Sequence, residues 1–162
     1  MISVDIPPQP ILSQQANPQD EVGVEKPRAT AFLTYAHSDD RYVFEVNEAL
    51  KLAGVKTYLD REFLETGNIQ NQIIATLKVV EYQIIFCTEA SSESEWCQNE
   101  VHFAGLRGIK QIPVIIDPIE RMDYFQFIRL DLHRAIFVER FRHSEPAILG
   151  ITRDLMRIID GV

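Results

Sequence analysis

From Ala29 onward, short apolar and β-branched runs alternate with longer stretches whose apolar residues recur every three or four positions. Ala29 to Tyr35 has strand character and ends in the polar cluster Ala36-His37-Ser38-Asp39-Asp40. Ser38 or Asp39 suits the N-cap of a helix along which Val43, Val46, Leu50 and Ala53 recur, with Gly54 as its stop. Val55 to Leu59 reads as a second strand ending in Asp60-Arg61, and Glu62 to Asn68 as a loop containing Gly67. A helix is expected from about Ile69 to Val80, with Ile69, Ile73, Leu77 and Val80 on one face. Tyr82 to Cys87 is too apolar for a surface loop and reads as a buried third strand.

Ser91 to His102 is a polar turn running into a helix that carries Trp-x-x-x-Glu. Ser92 and Glu95 have the spacing of a capping box, which predicts the helix start there. Glu93 and Glu95 then fall in the first turn, where the helix dipole favours carboxylates. This helix runs to about Arg107, and Gly108 stops it. Gln111 to Ile116 and Ala135 to Val138 read as the fourth and fifth strands, with a short helix expected around Tyr124 to Ile128 between them. The last helix spans about Glu145 to Ile159, with Ile148, Ile151, Leu155, Ile158 and Ile159 as its apolar stripe.

Five strands alternating with helices imply an α/β fold, a parallel sheet with helices on both faces. The expected strand order is 2-1-3-4-5, in which the crossovers from strands one and three leave in opposite directions. The crevice at their carboxyl ends is the expected ligand site. Three polar segments converge there: Ala36 to Asp40, Asp60-Arg61, and the turn leading to Trp96 and Glu100.

Residues 1–28 differ from the rest, holding five of the eight prolines and no aromatic residue. Such a stretch has too little apolar surface to offset its ordering entropy and reads as a flexible Pro/Gln-rich leader. Residues 29–162 then form one domain, as a chain of 162 residues allows.

Composition narrows the partners. The net charge of −8 and pI near 5.0 argue against nucleic acid or an anionic membrane as the main partner. A dinucleotide stays open, because its phosphates need only a few local donors. No basic segment followed by an apolar core marks a secretory signal, and no apolar run approaches the roughly 18 residues of a membrane span. Cys87 and Cys97 are the only cysteines. One ends a strand and the other lies in a helix, which fits reduced packing residues in a cytoplasmic setting.

No metal site is expected, because Cys97 and His102 are five apart and point to different faces. No phosphate-cradling glycine loop occurs. His37 and Ser38 are adjacent, a poor geometry for nucleophilic catalysis, and there is no nucleophile elbow. A phosphorylated receiver would carry an aspartate at the end of strand three, where this chain has Phe86-Cys87. Trp96 and Glu100 are i and i+4, hence an indole and a carboxylate on one helix face. One reading has Trp96 filling the core while Glu100 is solvated or pairs with Arg107. The other puts both in a pocket, where a lone carboxylate beside an aromatic surface suits a sugar acquiring oxocarbenium character as a base departs. Cleaving an N-glycosidic bond to a good leaving group such as nicotinamide needs little acid assistance.

Phe32-Leu33-Thr34-Tyr35-Ala36-His37-Ser38-Asp39 resembles the F-[IL]-S-Y-S-H-x-D box of Toll/interleukin-1 receptor (TIR) domains. Gly54-Val55-Lys56-Thr57-Tyr58-Leu59-Asp60 followed by Gly67 is similar to that family's second strand and BB loop. Ser94-Glu95-Trp96-Cys97-Gln98-Asn99-Glu100 matches its S-x-W-C-x-x-E box at every fixed position, and Gln111 to Ile116 is like its fourth strand. Thr34 and Ala36 stand where serines are usual, and Tyr58 where tryptophan is common.

The resemblance implies a flavodoxin-like fold and one of two functions. The first is an NADase of the bacterial type, hydrolysing NAD⁺ to nicotinamide and ADP-ribose or a cyclic form in defence or signalling. The second is a non-catalytic scaffold that assembles through TIR–TIR contacts. For the enzyme, the resemblance implies Glu100 as the catalytic residue. It implies substrate contacts from Trp96, Tyr35, Ala36, His37, Ser38 and Asp60, with NAD⁺ as substrate and no cofactor. It implies a homo-oligomer or filament that assembles through the BB loop. Phe63 and Leu64 are two large apolar side chains in that polar loop, with Gly67 as its pivot. They either dock on a neighbouring copy as the assembly element or fold back onto the domain's own helices.

Deleting residues 1–28 is expected to leave the melting temperature of the domain nearly unchanged. A drop of many degrees in a thermal melt would mean that Ile2, Ile6, Ile11 or Leu12 docks on the sheet.

Overall fold

The computed structural model of the chain describes residues 26–59, 69–122, 134–138 and 144–161. Within them run β1 (Ala29–Thr34), α1 (Asp40–Leu52), β2 (Val55–Leu59), α2 (Ile69–Leu77), β3 (Tyr82–Cys87), α3 (Glu89–Glu93), α4 (Glu95–Leu106), β4 (Lys110–Ile115), β5 (Ile136–Phe137) and α5 (Glu145–Asp160). All strand pairings are parallel, and the sheet order is β2-β1-β3-β4-β5, as the alternating pattern predicts. Asp60, Phe63, Leu64, Gly67, the expected helix around Tyr124 to Ile128 and residues 1–25 lie outside the described residues.

Alternation along each strand divides the core into two faces. Ala31, Leu33, Tyr35, Ile84, Phe86, Ile112 and Val114 pack with Val43, Val46 and Leu50 of α1 and Ile148, Ile151 and Leu155 of α5. On the opposite face Phe32 meets Ile73 and Leu77 of α2 and Ala104 of α4. Ile85, Cys87 and Ile115 pack there with Val101 of α4 and with Met122. Both faces of β3 are covered and all six of its residues are buried, as a central parallel strand requires. Pro113 has no amide hydrogen to give, and β5 pairs with β4 only from Val114 onward, so the proline removes no ladder bond.

The helix ends follow local chemistry. Gly54 ends α1 at a φ of 93°, which favours glycine, and a Cβ there would lie 3.0 Å from Cδ of Arg28. Arg28 itself belongs to the ordered fold: its backbone N–H donates to Gly54 O and its guanidinium reaches Asp160 at 2.6 Å. The capping box lies elsewhere than Ser92 and Glu95. Thr88 caps α3 and exchanges bonds with Ser91, whereas Ser94 caps α4 by accepting from the Cys97 N–H. The Ser92 hydroxyl instead donates back to Glu89 O. Glu95 does fall in the first turn of α4, but Glu93 is the last residue of α3. The expected single helix start is split because Ser94 is extended and breaks the run in two.

Asp39 is the N-cap residue of α1, yet its carboxylate makes no capping bond. It accepts instead from the Thr88 hydroxyl at 2.8 Å, joining the carboxyl ends of β1 and β3. Asp117, just beyond β4, accepts from the Glu89 N–H at 2.8 Å and ties the third strand end to the same cluster. Burial raises the Asp39 carboxyl above its ordinary value of 3.8, the Thr88 bond opposes the rise, and the Asp117 and Asp40 charges add to it. A carboxyl raised in the folded state binds its proton more tightly there than when unfolded. Its contribution to stability is therefore greatest at low pH and declines as pH climbs from about 4 through the raised value. Asp39→Asn keeps an acceptor for Thr88 and removes the titration. Thermal melts across that range should show the variant gaining on the parent as pH rises, and parallel curves would contradict a raised Asp39.

Candidate active site

β3 delivers the chain to α3 and then to α4, whose first two turns carry Trp96 and Glu100. Cys97, Val101 and Ala104 face the sheet and are buried. Trp96 and Glu100 lie on the flank of α4 that turns toward α2. Between these helices is a cavity of about 180 Å³ lined by Gln70, Ile73, Ile74 and Leu77 of α2 and by Trp96, Asn99, Glu100, His102 and Phe103 of α4. The i, i+4 spacing thus does bring indole and carboxylate to one concave surface. Its walls are mainly apolar, with a few polar groups, the usual composition of a small-molecule site.

The burial of the pair is the reverse of the core-tryptophan reading. Trp96 is 39% exposed and Glu100 only 5%. The sheet-facing positions of α4 are filled by small side chains, which leaves no room beneath the helix for an indole. Trp96, in the first turn, stands at the cavity mouth, while Glu100 is held one turn further in. Arg107, offered as an alternative partner for Glu100, sits with its guanidinium 5.4 Å from the centre of the Phe103 ring. A carboxylate in so little contact with water acts on nearby charge with less screening than one on the surface.

The segment after β1 is placed differently. Tyr35 is buried in the α1/α5 half of the core, its ring 6.2 Å from Phe44 and 6.1 Å from His37. Ala36 is buried, and His37 and Ser38 are exposed in a 3₁₀ turn over residues His37–Asp39. None of these four lines the cavity that holds Trp96 and Glu100. In the cavity wall, the sequence marks Ile73 and Leu77 only as the apolar face of a helix and does not single out Gln70, Ile74, Asn99 and Phe103. That signal is indistinguishable from core. No Lys or Arg is among the described residues that line the cavity. Among the described residues no group of three or more His, Cys, Asp or Glu is placed to hold a metal ion. No helix among them is long and apolar enough to cross a membrane.

A third feature lies directly beneath α4. Gln83 Nε2 donates to Thr34 Oγ1 at 2.8 Å, and Gln111 Nε2 donates both to Gln83 Oε1 and to the Val101 carbonyl, each at 2.9 Å. Thr34 and Gln83 are fully buried. The chain of bonds crosses β1, β3 and β4 and ends on the helix backbone next to Glu100.

The TIR domain family model matches residues 31–144. Among solved structures, the TIR domain of the Toll-related receptor TRR-2 from Hydra magnipapillata is similar, with a TM-score of 0.60 and 16% identity over 80% of this chain and 97% of that one. The TIR domains of the activated Roq1 resistosome align over 82% of this chain and 84% of theirs, at 16% identity and a TM-score of 0.49. No curated protein matches the sequence. The family match spans both strand boxes, α4 with Trp96 and Glu100, and the sheet through β5, so this chain belongs to the TIR domain family.

Proposed function

We propose that this TIR domain hydrolyses NAD⁺, with Glu100 as the catalytic carboxylate. The observation that carries this reading is the pairing of a 5% exposed glutamate with a 39% exposed tryptophan in one cavity. The bond between nicotinamide and ribose C1′ breaks, and its electron pair leaves with the neutral nicotinamide. The positive charge left on C1′ and the ring oxygen is stabilised by the Glu100 carboxylate, in a setting where apolar walls keep water from screening it. Water then adds at C1′ and loses a proton, giving ADP-ribose; capture by the adenine ring gives the cyclic form instead. Trp96 at the mouth offers a face for the nicotinamide ring.

Typical small-molecule sites measure roughly 300–1,000 Å³. A cavity of about 180 Å³ accommodates the nicotinamide end alone. The pyrophosphate and adenosine need donors from elsewhere, and a neighbouring copy of the domain is the natural source. Self-association then completes the site, and the rate per molecule rises with protein concentration. The same small cavity, with no Lys or Arg among its described lining residues, also favours the second reading, a scaffold that assembles without chemistry.

Chromatographic detection of nicotinamide from concentrated protein and NAD⁺ separates the two readings; the scaffold yields none at any concentration. Because Glu100 is buried, Glu100→Gln is the apt variant, preserving volume and an acceptor oxygen. Its turnover should fall about a hundredfold or more with the circular dichroism unchanged. Cleavage near the parent rate would remove Glu100 from the mechanism.

The loop between β2 and α2 is the proposed assembly element. Its Phe63 and Leu64 are each worth about 1.5–3 kcal/mol when moved from water to an apolar contact. A Phe63→Ala, Leu64→Ala double variant should remain folded and monomeric in sedimentation, with poor activity even when concentrated. Assembly and cleavage equal to the parent would place the switch outside this loop.

A further inference from the structure

We propose that Gln83 and Gln111 are positioning residues that set where α4 presents Glu100 to the cavity. This rests on the hydrolase reading for its kinetic consequence but not for its structural one. Gln83 and Gln111 are direct register partners on β3 and β4, so their side chains leave the same face of the sheet side by side. The two hydrogens of a glutamine amide can serve two acceptors. Both of those on Gln111 are used: one goes to Gln83 Oε1 and the other to the Val101 carbonyl. Gln83 is held in turn by donating to Thr34 Oγ1 on β1. Gly105 stands opposite, where an added Cβ would lie 3.6 Å from Gln111 Oε1, so the helix offers the amide a smooth surface.

Apolar packing of Val101 and Ala104 against the sheet fixes the distance of α4 from it but tolerates sliding, because dispersion contacts are non-directional. A hydrogen bond from a buried amide to one named carbonyl does not tolerate it. The bond falls on Val101, the residue after Glu100. Any slip of α4 along its axis stretches this bond and carries Glu100 with it. Reaction geometry is sensitive on that scale, since a misplacement of about 1 Å can cost up to a hundredfold.

The test compares a Gln83→Met, Gln111→Met double variant with the parent as the full chain. Replacing both amides leaves no orphaned partner between them, but the buried Thr34 hydroxyl loses its donor. The variant should therefore fold with a melting temperature lowered by several degrees. Thr152→Val, which removes the buried Thr152 bond to Ile148 O on the other face of the sheet, serves as the control. Two readouts are taken. The kcat of the double variant should fall about tenfold or more while KM stays within about twofold, and the control should keep both. Trp96 is the only tryptophan, so its emission reports the cavity mouth and should shift in the double variant alone.

A folded double variant with parental kcat and parental emission would overturn the proposal. A parent that cleaves no NAD⁺, together with a shifted emission in the variant, would sink the hydrolase reading and keep the positioning role. Should the double variant fail to fold, Gln111→Met alone replaces it. That change removes both donors at nearly unchanged length without adding a charge and should shift emission in the same way.

Discussion

A parallel sheet cannot leave either face to water, and this constraint generates the site. With β1 flanked by β2 and β3, the crossover from β1 to β2 runs one way across the sheet. Those from β2 to β3 and from β3 to β4 run the other way, which puts the two sets of helices on opposite faces. α1 and α5 therefore share one side, and α2 and α4 are brought together on the other. Among the described residues the cavity is lined by α2 and α4 alone. Trp96 and Glu100 belong to the helix after β3, and their opposite wall belongs to the helix after β2. The two walls meet because the crossovers from β2 to β3 and from β3 to β4 run in the same direction and so place both helices on one face.

The two faces differ in chemistry as well as in helices. The α1/α5 side is an apolar cluster in which Phe86 meets the Tyr42 ring edge-on at 6.0 Å. The α2/α4 side interrupts its apolar residues with Thr34, Gln83 and Gln111. Buried amides contribute little to stability compared with apolar groups of the same shape, and they are costly when any partner is missing. What they add is direction. Such a network makes one arrangement of strands and helix much better than its neighbours, on the face where a helix must carry a functional group to a set place.

The layout was legible in the sequence because it rests on periodicity. Alternating strand and helix patterns gave the strand order, and i, i+4 spacing placed Trp96 with Glu100. Relative burial was not legible. A tryptophan is ordinarily the buried member of such a pair, but Cys97, Val101 and Ala104 take the sheet-facing positions, and only the packing of α4 reveals that. Capping went astray for a related reason: Ser91, Ser92 and Ser94 are all suitable residue types, and the extended backbone at Ser94 decides among them. Gln83 was hidden inside an otherwise apolar strand. A lone glutamine in a run destined for full burial is itself a signal that a partner waits across the sheet, here at the same register on β4.

The acidic character of the chain and its proposed anionic substrate are compatible once distance is considered. At physiological ionic strength charges interact over only about 8 Å through solvent, so a net charge of −8 spread over the surface exerts little force at the cavity. What matters locally is the buried carboxylate, to which NAD⁺ as the proposed substrate would present its positive nicotinamide end. In the proposed reaction Glu100 attracts that end before bond cleavage and the sugar cation during it, while the distant pyrophosphate stays outside the apolar walls. A lysine or arginine in the cavity would neutralise the carboxylate on which the proposed chemistry depends. Their absence among the described lining residues therefore fits a site in which phosphate recognition and bond cleavage are assigned to different surfaces.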